Sequence, residues 1–552
     1  MKKISFTLVM MMILTSIFGV VGFAEELPAV PIDELTIYKG ATINSMDYTV
    51  QTAAATFAVL GYTGEGLYKW LPDGSALTLG LADSEEISED GMTRTFHIRE
   101  NAYYSNGIQI TANDFVYSWK RLADPATAAE YANMLEFAGV KNAKAVYTGE
   151  LPVDELGVSA PDDFTFVVEM DTPVSFFGDL MTFATFFPLN QEFVESCGDQ
   201  FGLSVETTLC SGPYMLTDWT SSGTTETVQR NPYYYDIDEL TVDKLTWQII
   251  TETSSGVMGY KQGNLDVMQL TSEFVEEYKN DPGYNPLLVS TVWWMQPNCE
   301  VAPFDNIKAR QAFGYAVDRA AICDNILKDG SVPAYFFYPQ DFQAITDHGN
   351  IRAYAAELGY GEDGQGNYLI GDKEKASALW AEYLAEADTD KFDITLIFTN
   401  NDTMNYISAF LKQELEATLP GVTLNLQPLE SNDRIQRLHD GDFTLALAGW
   451  GADYKDASNF AMLATADSSF NYGHWVSVDG AYDVIDAKCK GEDAADELAR
   501  AKDLLDMEKI MMEEAGYIPL YQKVEAYLIN PEYKVPLTVN GGWLYMYTAP
   551  VE

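Results

Sequence analysis

Apolar and polar residues alternate with two periods along this chain, and the switches between them mark its elements. Thr93–Ile98 (TRTFHI) alternates at every second position and predicts a strand. Thr111, followed by Asp114, opens a helix in capping-box fashion, with Asp in place of the usual Glu. That helix carries Phe115, Trp119 and Leu122 on one face. Another helix is predicted over Asn306–Val317, and Asp318 caps a further one that ends near Gly330. The densest signal lies between 391 and 454. Phe392–Phe398 predicts a strand, Asp402–Thr418 a helix, Val422–Leu426 a strand, Ser431–His439 a helix capped by its Ser, and Phe443–Ala448 a nearly all-apolar third strand. A β-α-β-α-β run with apolar strands predicts a buried parallel sheet with right-handed crossovers. Ligands bind such sheets beyond the carboxyl ends of the strands. At that place the sequence puts a loop, Gly449–Tyr454 (GWGADY), with glycines that let the backbone approach a ligand closely. Internal repeats and low-complexity tracts are absent.

Composition narrows the use of this framework. A chain of 552 residues exceeds one compact core and predicts two or three domains. A formal net charge of -50 sets it against nucleic acid and anionic membranes, while it keeps a secreted protein soluble and favours cationic solutes. Its 33 Tyr, 28 Phe and 10 Trp suit a binding cleft, although large α/β cores hold many aromatics too. Lys2 and Lys3, the apolar run Ile4–Val21 and Gly22-Phe23-Ala24 predict a signal peptide over residues 1–24, cleaved after Ala24. The run is almost long enough to span a bilayer, which leaves a retained anchor as the alternative. The first Cys is Cys197, so no lipobox cysteine supports a lipid-attached N-terminus. The expected location is periplasmic or extracellular.

Of five cysteines, Cys197 and Cys210 are spaced to close a short loop; Cys299, Cys323 and Cys489 look unpaired, and none forms a CxxC. His97, His348, His439 and His474 form no HExxH. Asp363, Gln365 and Asn367 alternate as in a calcium loop but lack its Gly and Glu, so they read as a solvated turn. No GxGxxG or Walker A sequence appears, and among 83 acidic residues carboxylate pairs arise by chance. The reading is a protein without cofactor or metal, and not an enzyme; a secreted hydrolase is the reading it excludes.

Several blocks then resemble one family. Leu447–Tyr454 (LAGWGADY) resembles the AGWxADY segment of the extracellular oligopeptide-binding proteins of ABC importers. Phe96–Gly107 (FHIRENAYYSNG) with Thr111–Arg121 (TANDFVYSWKR) is similar to the block FxLRxxxxWSDGxxxTAxDFVYSWxR. Ser211–Tyr214 (SGPY) with Asn231–Asp236 (NPYYYD) resembles NGPY…NPxYWD. Pro303-Phe304 with Ala309–Arg319 (ARQAFGYAVDR) resembles PPFxDxRVRQALxxAIDR, and Pro333-Ala334-Tyr335 falls at a PAY step. The blocks keep the family's order and cover nearly the whole mature chain.

The resemblance implies a periplasmic-binding-protein-like (type II) α/β fold, with two lobes joined by a hinge and a smaller third domain. The implied division is lobe I over 25–68, 188–290 and 520–552, domain II over 69–187, and lobe III over 291–519. The lobes close on an extended peptide whose backbone is held as in strand addition. The implied partners are short peptides, membrane permease subunits and separate ATPase subunits, with the binding protein a monomer. Asp453 matches the residue that holds the peptide α-ammonium. Gly449, Trp450, Gly451 and Tyr454 supply backbone contacts and an aromatic wall. Tyr131 and Ala54 match cleft-lining positions, and Asn298 follows an aromatic run as in relatives, although a turn role fits it equally. Some members carry a basic residue three before the loop Trp for the peptide carboxylate; here that residue is Leu447. Within the same fold the alternatives are a receptor for a nickel chelate, haem or an oligosaccharide, or a peptide sensor without transport.

Overall fold

The computed structural model describes residues 30–551 apart from 221, 388, 539 and 540; the predicted signal peptide lies outside the described residues. One mixed sheet of 11 strands runs through the molecule. Along the chain its strands are β1 (Ile32–Lys39), β2 (Tyr214–Asp218), β3 (Thr225–Arg230), β4 (Val242–Ile249), β5 (Val267–Leu270), β6 (Tyr284–Pro297), β7 (Val332–Pro333), β8 (Phe392–Thr399), β9 (Val422–Leu429), β10 (Leu445–Gly451) and β11 (Ile518–Ile529). Their order in space is β9-β8-β10-β6-β11-β5-β1-β4-β3-β2, with β7 beside β11. A separate four-stranded sheet is built from residues 82–98 and 158–169.

The apolar positions sort into distinct cores. The largest gathers residues 292–521 on the β8–β10 side. Another gathers 67–186 around the four-stranded sheet and takes in Leu209 and Tyr454. A third packs around β1 and β4 with the C-terminal Leu544–Tyr547. Helix α1 (Ala54–Thr63) belongs to this third core through Val59 and Leu60. Helix α2 (Ala112–Ala123) buries the predicted face, Phe115, Trp119 and Leu122, in the second core. Its capping box is closed by the Thr111 amide donating to the Asp114 carboxylate at 2.7 Å.

The predicted β-α-β-α-β run is present. β8 pairs in parallel with β9 and with β10, and helices α3 (Asp402–Thr418) and α4 (Ser431–His439) make the crossovers. Three details differ from expectation. Glu430, not Ser431, is the N-cap of α4. The third strand lies later, at Leu445–Gly451, so Gly449, Trp450 and Gly451 are strand and not loop. The reason is long-range: they pair antiparallel with Trp293, Val292 and Thr291 of β6, and this partner overrides the turn-like Gly-Trp-Gly sequence. Cys197 and Cys210 are both free, as are the other three cysteines.

β6 and β11 are the longest strands, and they cross the middle of the sheet side by side. Leu288 faces Val524 but Val292 faces Gln522, so β6 carries two extra residues at this point. The fully buried Gln522 side chain fills the gap. It donates to Val289 O at 3.0 Å and accepts from the Gln340 amide at 2.7 Å. The junction between the two halves of the sheet is thus an irregular ladder held by one side chain.

Candidate ligand-binding site

β10 is the element that makes a site. It pairs with β6 along its whole length, but β8 accompanies it only at Leu445 and Ala446. From Leu447 to Gly451 the other edge of β10 has no strand beside it among the described residues. The Ala452 amide donates to Ser290 O on β6 at 2.9 Å. Alternation along a strand then turns the amides and carbonyls of Gly449 and Gly451 away from β6, onto that open edge. The carbonyl of Leu447 follows the same parity and accepts from Arg434 at 2.9 Å. A Cβ on Gly449 would lie 2.6 Å from the Trp293 ring. Glycine here lets the indole of Trp293 lie flat across the strand.

The edge ends at Asp453. Its amide donates to Asn459 Oδ1 at 3.1 Å, and Asn459 Nδ2 donates back to its carboxylate at 3.2 Å. The same Asn459 oxygen accepts from Trp450 Nε1 at 2.8 Å, so one amide side chain fixes both residues. Asp453 is part-buried and no cation faces it among the described residues. Burial pushes its pKa up to about 6, against the Asn459 hydrogen bond that lowers it.

The opposing wall is aromatic. Tyr131 sits on a short 3-10 turn, Glu130–Asn133, with its ring edge-on to Phe57 at 6.0 Å and to Phe183 at 5.3 Å. Phe57 stacks on Phe183 at 4.8 Å. Burial and then the Asp453 charge raise the Tyr131 hydroxyl well above the usual tyrosine range. Ala54 opens α1 three residues before Phe57. Trp450 packs edge-on against Phe470 at 5.1 Å. Tyr454 points the other way: it is buried in the second core, stacked on Phe176 at 4.6 Å and 4°. It joins the two sides of the cleft instead of lining it.

Asn298 stands apart. It lies just past the end of β6, seven residues beyond Thr291, the partner of Gly451, with its side chain buried. Its amide donates to Gly441 O and Phe443 O, and its oxygen accepts from Glu300, which makes it the clasp of the 441–443 turn. The turn role, and not the ligand-contact role, is the one its geometry fills.

Sequence reasoning missed the floor of the cleft. A cavity of about 870 Å³ lies over the crossing strands, with Trp293 and Tyr521 below. Tyr38, Gln269 and Thr271 stand on one side, and Lys328, Met404 and Tyr406 on the other. That volume is at the upper end for small-ligand pockets, about 300–1,000 Å³. The Trp293 and Tyr521 rings are parallel at 6.4 Å. The signal was present in the Trp293-Trp294 pair: adjacent strand residues face opposite ways. Trp294 is buried in the core, so Trp293 had to face the other side.

Two α/β lobes sharing one sheet, with a deep cleft at the crossing strands, define the two-lobed solute-binding class and its type II periplasmic-binding-protein fold. The chain belongs to the bacterial extracellular solute-binding proteins, family 5 Middle, whose model matches residues 76–472. It is 31% identical over 450 residues to the dipeptide-binding protein of Lactococcus lactis subsp. cremoris, covering 79% of each chain. It is 30% identical over 461 residues to the periplasmic oligopeptide-binding protein OppA of Salmonella typhimurium, covering 82% of this chain and 80% of that one. Among solved structures it superposes on Listeria monocytogenes OppA bound to peptide with a TM-score of 0.79 and 28% identity, over 95% of this chain and 100% of that one. The Haemophilus influenzae OppA complex with RPPGFSPFR gives a TM-score of 0.79 and 27% identity, over 96% and 100%.

Proposed function

We propose that this chain captures short peptides between its lobes and delivers them to a membrane permease driven by separate ATPase subunits. One observation carries the reading: an open strand edge, presented by Gly449 and Gly451, runs into a part-buried carboxylate that no cation pairs with among the described residues. A peptide backbone laid on that edge gains strand-type hydrogen bonds whatever its side chains are. Its α-ammonium, with a pKa of about 7.7–8.0, is mostly charged at neutral pH and forms a charge-assisted bond with Asp453. Tyr131, Phe57 and Phe183 cover this end, and the cavity over Trp293 and Tyr521 takes side chains. The relatives named for dipeptides and oligopeptides, and the peptide-bound structures, support the reading. The lobes close by flexing at the β6–β11 junction, where the irregular ladder resists bending least. The predicted export signal and the family's extracellular character support a capture step outside the cytoplasm.

The test is to express residues 25–552 by export, purify gently, and record native and then denaturing mass spectra. Co-purifying peptides of mixed sequence and narrow length are expected. A single non-peptide mass, such as a chelate, haem or oligosaccharide, overturns the peptide reading and keeps the binding role.

A further inference from the structure

The cavity over Trp293 and Tyr521 holds a second covered carboxylate. Asp329 is 7% exposed and lies on the loop between Leu327 and β7. Its two oxygens have different duties. Oδ1 accepts from the Ser331 amide at 2.9 Å and closes a turn. The Ser331 hydroxyl accepts from the Val524 amide at 3.0 Å, and Pro333 of β7 pairs with Tyr521 of β11, so the turn is fixed against the floor of the cavity. Oδ2 accepts from the Ser272 hydroxyl at 3.2 Å. Ser272 follows β5 on the other side of the cavity, so this bond crosses the cleft. A carboxylate offers about four acceptor positions, and this one uses two. No cation pairs with it among the described residues. Glu273, Glu276, Asp402 and Glu525 line the same cavity, against Lys328 and Lys523. Lys523 is committed to Glu525, and Glu276 to Lys279 outside the cavity, each at 2.8 Å. Lys328 is exposed and makes no ion pair with Asp329.

A charge covered to this degree without a counter-ion is unfavourable, and the turn does not require it, since an asparagine would close the same turn. We infer that Asp329 receives a basic side chain, lysine or arginine, of the bound peptide. The inference rests on the peptide-binding reading and adds to it a preference for cationic peptides. The floor suits such a side chain. The Trp293 and Tyr521 rings are parallel at 6.4 Å. An aliphatic stem lying over them keeps apolar contact while its charged end reaches the cavity wall, and a guanidinium also gains cation–π attraction. A serine hydroxyl rotates freely, so a cation joins Oδ2 without moving the turn. The acidic lining and the net charge of -50 draw such ligands in. Asp453 reads the α-ammonium that every free peptide has; Asp329 reads a charge that only some carry.

The experiment is a competition on the whole mature protein, stripped of ligand by unfolding and refolding. A pool of short random peptides, each carrying one arginine, is offered with an equal amount of an isotope-labelled pool carrying citrulline there, which has nearly the same shape and no charge. Bound peptide is counted by mass spectrometry. Wild type should retain arginine peptides over citrulline peptides by about tenfold or more. Most of that preference should survive in about 0.5 M sodium chloride, because the pair is covered. Asp329→Asn keeps an acceptor for the turn; it should bring the ratio close to one and hold citrulline peptides as wild type does. Asp329→Glu should keep part of the preference. Equal retention of the two pools by wild type, or an unchanged ratio in folded Asp329→Asn, overturns the assignment and leaves the peptide reading intact. A wild-type preference that vanishes in high salt overturns it too, since it would then belong to the field of the whole chain. Retention of neither pool overturns the peptide reading and the selectivity together.

Discussion

Asp453 and Asp456 lie three residues apart on the same turn and have opposite surroundings. Asp456 is buried and held by both arms of Arg500, each at 2.7 Å, and Arg500 also covers the Phe176 ring at 5.3 Å. Burial raises its pKa, but the Arg500 charge and hydrogen bonds win and hold it below the usual carboxylate range. Asp453 meets only the amide of Asn459, and there burial wins. The turn thus pairs one carboxylate with an arginine inside the fold and leaves the other, at the end of the open strand edge, with an amide alone. Unsettled charge in a covered place is the mark of a ligand.

The contrast breaks first at its structural member. Arg500→Met strands the Asp456 carboxylate and should destabilise the protein by about 3–5 kcal/mol, read in urea unfolding. A loss below about 1 kcal/mol would mean that the pair is solvated and the comparison is empty. Asp453→Asn should do the reverse. Stability should hold or rise, while affinity for free peptides falls by about 2–4 kcal/mol, read by calorimetry. A stability loss comparable to that of Arg500→Met would make Asp453 structural.

The two aspartates should also respond to pH with opposite sign. The folded pKa of Asp456 is depressed, so its contribution is present above its unfolded value and is lost as pH falls through the folded one. The folded pKa of Asp453 is raised to about 6 from 3.8, so its contribution is largest at low pH and is lost as pH rises toward 6. Subtracting the Asp453→Asn stability curve from wild type should leave a component that declines between those values. A flat difference contradicts the buried environment. Peptide affinity should peak between about 6 and about 8, where Asp453 is ionised and the α-amino group protonated. The smallest expected effect is at the seam. Phe176→Leu removes the stack on Tyr454 and should weaken closure by about 0.5–1.5 kcal/mol, seen as a larger radius in scattering at limiting peptide. A loss of folding instead would place Phe176 in the core of its domain.

Much of the fold was legible because local signals agreed with it. Helix α3 lies at Asp402–Thr418 as its pattern predicts, opened by Asn401, which accepts from the Met404 amide. The Thr111–Asp114 box and the parallel β8–β9–β10 run are equally local. What escaped was decided by distant partners. Gly449–Gly451 looks like a turn until β6 is beside it. Asn298 looks like a cleft residue until the 441–443 turn takes its amide. Asp453 came from family resemblance, and its lack of a cation came only from packing.

The most direct test of the account is to titrate ligand-free wild type with one co-purified peptide and with its N-acetylated form, by calorimetry at pH 7. The account predicts that acetylation weakens binding by about a hundredfold, because the Asp453 charge is then left covered and unpaired. It also predicts that Asp453→Asn narrows the gap. Equal affinity for the two forms would contradict it: the carboxylate at the end of the open edge would then have no role in holding the peptide.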